Sequence, residues 1–276
     1  MGVLCASTAP PLIAATTAPA LAIAFWRTGA AAALLAPLTI VRGELRRMRS
    51  PGLALLAGAA LAAHFGTFIP SLSYTSVASA TALVCSQAVW AGLLGRLLGE
   101  RLPRRAWAGT GICLLGVLLV TGVDVSLSAR ALAGDALALL AGIFGGVYIV
   151  TGGFVRRDSS TLAYTQLCYG ACGLLLLAAC LIGGRSLAGY STEDWVRIAA
   201  LTLFGQLAGH SLFNFVLRSI SPTIVSLATL FTVPLAALIA AVALEQTPPI
   251  AAVPALALLV AGTAIVISSR SRAPAT

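Results

Sequence analysis

An apolar segment centred on His64 recurs 146 residues later as an apolar segment centred on His210, so the chain is built as two matched halves. The match runs past the histidines. Each segment is followed by a short polar turn, Ser73 to Ser76 in one half and Arg218 to Thr223 in the other, and then by a second apolar segment. Those segments close as Leu98-Gly99-Glu100-Arg101-Leu102-Pro103 and Ala243-Leu244-Glu245-Gln246-Thr247-Pro248, with glutamate and proline in register at an offset of 145. Any fold for this chain must combine two copies of one motif.

Composition decides the solvent in which they combine. Hydrophobic residues make up 59% of the 276 and charged residues only 9%, and the mean hydropathy is +0.99, well outside the range of water-soluble domains. A helix that crosses the hydrocarbon needs about 20 mostly apolar residues. Ten segments qualify or come close: 2–16, 18–41, 52–73, 77–97, 106–123, 134–154, 161–184, 195–217, 222–243 and 250–268. The first carries the adjacent Pro10 and Pro11, is too short for a span, and lacks the basic leader of a secretory signal peptide. The runs are continuous rather than alternating, which favours helices over a barrel.

The 17 basic residues are all arginine. Counting loops alternately, one side holds Arg42, Arg46, Arg47, Arg49, Arg96, Arg101, Arg104, Arg105, Arg156, Arg157, Arg218, Arg270 and Arg272, and the other only Arg130, Arg185 and Arg197. The positive-inside rule puts the first side, with both termini, in the cytoplasm. The net charge of +9 then reads as topology plus attraction to anionic lipid, and nucleic acid is not expected as a partner. Five helices before Asp124 and five after Arg130 make an odd number per half, so the second half enters from the opposite side. The expected fold class is therefore all-α: a polytopic membrane protein of about ten transmembrane helices in two inverted five-helix repeats, residues 1–124 and 130–270, with 271–276 as a cytoplasmic tail. Inverted repeats mark many secondary transporters.

Chemistry has few footholds. The six cysteines lie inside apolar segments without CxxC spacing and read as small core residues. There is no GxxxxGK[ST], GxSxG or HExxH motif. No enzyme activity, metal or cofactor is expected.

At this point the chain resembles the EamA-type carriers of the drug/metabolite transporter superfamily. The likeness rests on Ala18-Pro-Ala-Leu-Ala-Ile-Ala-Phe-Trp-Arg27, on Ser73-Tyr-Thr-Ser-Val-Ala-Ser-Ala-Thr-Ala82, on Gly99-Glu-Arg-Leu-Pro103 and on the last helix with Gly262. It implies two EamA repeats, cytoplasmic termini and movement of small metabolites, often outward, across the plasma (inner) membrane. The chain departs from the family in its short first helix and in Phe231-Thr-Val-Pro234, where a glutamate often stands.

The substrate pathway is sought among polar residues inside the spans, where each is costly unless it faces protein or a water-filled cavity. Gln206, His210 and Asn214 lie at i, i+4 and i+8, and His64, Thr67 and Ser71 at i, i+3 and i+7. Each set shares one face of an ideal helix, either to line a pathway or to hold helices together by hydrogen bonds. Gln87 and Trp90 add an amide and an aromatic at i and i+3. The Asp and Glu residues lie in loops or at the ends of the expected spans, so His64 and His210 are the groups for proton coupling, if transport is coupled to protons. Arg27, ten residues into the second segment, is read either as an anion contact for the carboxylate of a substrate or as a side chain that snorkels to the interface or bonds helix-end carbonyls. Tyr164, Thr165, Gln166 and Tyr169 form a similar aromatic and amide cluster, read either as a contact for an amphipathic metabolite or, for Tyr164 foremost, as an interface anchor. Gly58, Ala62 and Gly66, and Gly142 to Gly146, read as close-packing ridges, and Pro70 and Pro234 as bends. The expected function is secondary transport of an amino-acid-like or amphipathic metabolite. A lipid flippase, a non-transporting assembly protein and a membrane enzyme remain as alternatives. Substrate and membrane lipids are the expected partners, and a homodimer stays open.

Overall fold

A computed structural model describes residues 1–99, 103–125, 128–246, 250 and 253–268. Glu100, Arg101, Leu102, Pro248 and the tail 271–276 lie outside the described residues.

The described residues form ten helical rods: α1 (Gly2–Ala14), α2 (Ala20–Val41), α3 (Pro51–Ser71), α4 (Val77–Leu97), α5 (Arg104–Val125), α6 (Ala129–Asp158), α7 (Thr161–Ile182), α8, α9 (Pro222–Ala243) and α10 (Val253–Ser268). Helix α8 is composite, running from Thr192–Ala200 through a π-helical stretch, Leu201–His210, into Ser211–Val216. Six rods, α2, α3, α4, α6, α7 and α9, are long and apolar enough to cross a membrane by length and composition. Helix α1 is shorter, with a turn at Thr8.

The starts are written in serine. Ser76, Ser128, Ser160, Ser191 and Ser221 each accept a hydrogen bond from the backbone N–H three residues on, at the heads of α4, α6, α7, α8 and α9. A capped first turn leaves one fewer orphan donor where water is scarce. Ser76 and Ser221 occupy matching places in the two halves, as do His64 and His210.

Packing repeats the same symmetry. Helix α3 lies along α6 and α7, the first two helices of the other half, and α8 lies along α1 and α2 in the same way. The self-matching pairs α2 with α7, α4 with α9, and α5 with α10 also touch. Large apolar side chains such as Leu34, Ile40, Leu118, Leu174 and Ile182 point outward, the pattern of a surface made for hydrocarbon rather than water.

Hydrophobic burial supplies little drive between helices in lipid, so close approach of small residues carries the association. A Cβ built on Gly58 would sit 2.7 Å from both the Cys168 carbonyl oxygen and the Ala171 methyl, and one on Gly142 would sit 2.2 Å from Ser86 Oγ. The ridge ends there: at Gly66 the nearest atoms are Leu21 and Leu176 methyls at 3.9 and 4.0 Å.

Two equivalent helices are broken at equivalent places. Helix α4 is interrupted at Cys85 and Ser86, between Val77–Val84 and Gln87–Leu97, and α9 tightens into a 3-10 turn at Thr229–Phe231. In α9 the cause is Pro234, which has no N–H for the Leu230 carbonyl one turn back. Nothing in the local sequence of α4 accounts for its break.

The contrast along α3 is testable by thermal unfolding of purified protein in detergent. Gly58→Ala should lower stability by about 1 to 3 kcal/mol through overpacking against a backbone carbonyl that cannot move aside, while Gly66→Ala should be close to neutral.

Candidate functional site

The halves enclose a cavity of about 670 Å³ of empty space, its mouth included, walled by α1, α2, α3, α4, α6, α8 and α9. Arg27, His64, Phe65, Gln87, Tyr148, His210, Thr229 and Thr232 all contribute to the wall.

Arg27 is the dominant charge. It is 1% exposed, so it does not snorkel to an interface. Its Nε donates to Gln206 Oε1 at 3.0 Å, and its guanidinium carbon lies 4.1 Å from the centre of the Phe65 ring. Both partners are neutral: an amide oxygen and the negative face of an aromatic quadrupole. Arg27 Nη2 has no acceptor among the described residues.

Phe65 is also where the two histidines meet. The ring of His64 lies 5.1 Å from that of Phe65, and the ring of His210 approaches it edge-on from the other half at 5.3 Å. His64 Nδ1 is 2.8 Å from the Ala141 carbonyl oxygen. A carbonyl only accepts, so Nδ1 carries the proton and the neutral ring keeps Nε2 as its acceptor. Room for this bond comes from α6, where a Cβ on Gly145 would sit 3.0 Å from His64 Nδ1 and 2.4 Å from Gln87 Oε1. His210 Nδ1 has no partner among the described residues; Tyr148 and Phe213 flank its ring, with centres 6.1 and 6.2 Å away.

The breaks in α4 and α9 cross beside the same cavity. Gln87 Nε2 donates to Thr229 Oγ1 at 2.7 Å, and Cys85 Sγ donates to the Thr229 carbonyl at 3.5 Å. The π-helical stretch of α8 makes a third irregularity. There the Gln206 carbonyl takes the N–H of Ser211 five residues on, with the Ser211 and Tyr169 hydroxyls at 3.3 and 3.4 Å. The wider turn separates side chains that an ideal helix would stack. Gln206 reaches Arg27, His210 reaches the cavity, and Asn214 Oδ1 accepts from Tyr148 behind the wall at 2.6 Å.

Of the residues singled out in the sequence, Arg27, His64, Gln87 and His210 line the cavity, and Gln206 and Asn214 each bond to a wall residue. Two are not brought there. Thr67 bonds the Ala63 carbonyl of its own helix at 2.8 Å, and Trp90 is 37% exposed beyond the wall. Tyr164 is no interface anchor: it is fully buried, with its hydroxyl against Gly152. Sequence reasoning missed Phe65, Tyr148, Thr229 and Thr232. For Tyr148 a signal existed, a tyrosine two residues past the Gly142–Gly146 ridge. For Phe65 there was none, since phenylalanine in an apolar helix is unremarkable. Among the described residues no three His, Cys, Asp or Glu side chains gather as a metal set, and the six cysteines are free thiols.

A polar latch ties one rim of the bundle. Asp194, ahead of the apolar stretch of α8 and 2% exposed, accepts from the Thr17 hydroxyl at 2.6 Å, the Thr17 N–H at 3.1 Å and Arg197 Nη1 at 3.4 Å. These bonds, the Thr17 hydroxyl foremost, hold its carboxyl below the usual carboxylate range against the cost of burial. Beside it, Trp26 Nε1 donates to the Leu187 carbonyl at 2.9 Å and its ring meets that of Trp195 edge-on.

Residues 1–122 and 132–268 match the family model described as the EamA-like transporter family. Over 183 residues the chain is 26% identical to an uncharacterized transporter of Archaeoglobus fulgidus, an alignment that takes in 64% of this chain and 62% of that relative. The chain thus spans under two thirds of the relative's length. A protein of known crystal structure superposes with a TM-score of 0.75 at 20% identity, over 98% of this chain and 96% of the other, a likeness of fold.

The latch has a defined pH dependence. A carboxyl whose folded pKa is lowered adds stability that is present above its unfolded value, about 3.9, and is lost as pH falls through the folded value. Protection of the Thr16 to Ala20 amides from hydrogen exchange, taken relative to the intrinsic rate at each pH, should therefore be high at neutral pH and fall below about pH 4. In Asp194→Asn it should be lower at neutral pH, with the acid step gone.

Proposed function

The chain belongs to the EamA-like transporter family, and from that premise we propose that it is a secondary carrier that exports a small organic metabolite across the plasma membrane. That it is a membrane transporter follows from the family. Export, the membrane and the coupling ion are our reading.

The observation that carries the reading is the meeting of polar groups from both halves around one cavity. His64 and Gln87 of the first half face His210 and Thr229 of the second, at the crossing of two broken helices. Broken helices at the interface of two repeats are where secondary carriers place their sites, and alternating access needs a site that both halves share. With cytoplasmic termini, as the arginine distribution implies, the two five-helix halves have opposite orientation, so a rocking of one against the other exposes the cavity to each side in turn.

We assign proton coupling to the histidine pair. The charged and titratable groups around it are Arg27 from α2, Tyr148 from α6 and Cys85 from α4, besides the two rings themselves. Arg27 already supplies one positive charge, so a proton on either histidine enters most readily together with an anion, which keeps the cavity near neutrality. This makes substrate and proton travel as a pair, outward when the metabolite's own gradient exceeds the inward pull on the proton.

Internal pH recorded in proteoliposomes, while amino acids, nucleosides and small amphipathic ions are added one at a time, tests the reading. A substrate-dependent proton movement is expected from the wild type. His64→Gln and His210→Gln should each cut it at least about tenfold, since general proton carriers lose function with their titrating group. Transport whose pH dependence is unchanged in the double variant refutes the coupling role. A flat response across the panel, with labelled lipid crossing instead, refutes solute transport.

A further inference from the structure

Charge and hydrogen-bond accounting around the cavity narrows the substrate, resting on the carrier reading above. Among the described residues the wall contains one fixed cation, Arg27, and no acidic side chain. The groups that touch the guanidinium, Gln206 and Phe65, are neutral, and an unpaired arginine inside a membrane is costly even on the lenient insertion scales. A membrane protein that keeps such a charge at its central cavity has a use for an anion.

The donors of the wall point the same way. The hydroxyls of Thr81, Thr229 and Thr232 donate to carbonyls of their own helices, at 2.6 Å each, and Tyr148 donates to Asn214. Their donors are spent on protein, while Arg27 Nη2 is 1% exposed with its residue and unbonded. Gln206 takes Nε, which holds the plane of the guanidinium and leaves the Nη edge for a planar two-oxygen partner. Much of the apolar lining is aromatic, with Phe65, Phe68, Phe213 and the body of Tyr148 beside Pro10, Val84 and Ile149.

We infer that the substrate is an organic monoanion: one carboxylate, paired with Arg27, on a compact apolar or aromatic body seated against the phenylalanines. An ammonium-bearing solute has no carboxylate to meet. A cationic amine adds a second positive charge beside the guanidinium, and the ammonium of a zwitterion finds no carboxylate, only neutral oxygens and the histidine nitrogens. The lone guanidinium, with no carboxylate beside it, thus separates an organic acid from the amino acid or amine of the same shape.

The test is an isosteric series, 3-phenylpropionate, its primary amide, phenethylamine and phenylalanine. Each is followed as labelled uptake into proteoliposomes and as a shift in melting temperature of the protein in detergent. The wild type should move and be stabilised by the carboxylate, with the amide, amine and zwitterion at least tenfold weaker. Arg27→Gln should lose that tenfold preference, and Arg27→Lys, which keeps the charge without the fork, should retain part of it. Should Arg27→Gln fail to fold, the wild-type series and Arg27→Lys still decide. Amine or phenylalanine moved as well as the acid, or Arg27→Gln moving the acid undiminished, overturns the inference and leaves the carrier reading intact. So does proton-coupled movement of a nucleoside or a cation when the whole series is inert. No response to the series or to any solute in the wider panel overturns both.

Discussion

A guanidinium kept inside a membrane protein without a carboxylate has to be made tolerable by neutral groups, and much of the packing around Arg27 is arranged to that end. Phe65 offers the negative face of its ring, Gln206 offers an amide oxygen, and the π-helical stretch that carries Gln206 is stabilised in turn by Ser211 and Tyr169 on its carbonyl. Remove the charge and these polar contacts have no evident purpose. Because Phe65 also touches His64 and His210, a change in charge at any one of the three basic groups is felt by the other two across a single aromatic ring. The low dielectric that makes Arg27 costly also makes those interactions strong.

The surrounding helices are held by close approach rather than by bulk. Gly58 admits the Cys168 carbonyl, Gly142 admits Ser86, and Gly145 makes room for His64 and Gln87 together. Such contacts leave little slack, so motion has to come from places where the helices are not continuous. The crossing of α4 and α9 at Cys85 and Thr229 provides one pair of such places, and the π-helical stretch of α8 another. All three border the cavity. A shift at any of them repositions a wall residue without disturbing the glycine contacts, which is the mechanical requirement for a site that faces two sides in turn.

Much of the fold was legible because its causes are local. Ten apolar runs are written within a few residues of where they act, and the His64 and His210 repeat is a matter of spacing. The site was legible in part. Arg27, His64, Gln87 and His210 stood out as polar residues in grease, and they do line the cavity. Thr67 stood out for the same reason but satisfies itself on its own helix, since a threonine hydroxyl reaches the carbonyl a turn back without any partner. Trp90 lies one turn along from Gln87, and that turn carries it out of the wall, to 37% exposure. The Gln206, His210 and Asn214 stripe assumed a turn of about 3.6 residues, and the π-helical stretch spreads it over three different neighbours.

What the sequence by itself determined is the solvent, the number of rods, the twofold plan and the scarcity of charge in the interior, because hydropathy, caps and repeat spacing act over distances of one helix or less. What only the tertiary structure decided is the pairing: that Arg27 meets Gln206 from a helix 179 positions away, that Phe65 stands between two histidines, and that the breaks of α4 and α9 cross. These contacts join residues from opposite halves, and no local rule of spacing specifies which face of one helix will meet which face of another. That choice belongs to the glycine ridges acting together, and it exists only once the two halves are packed.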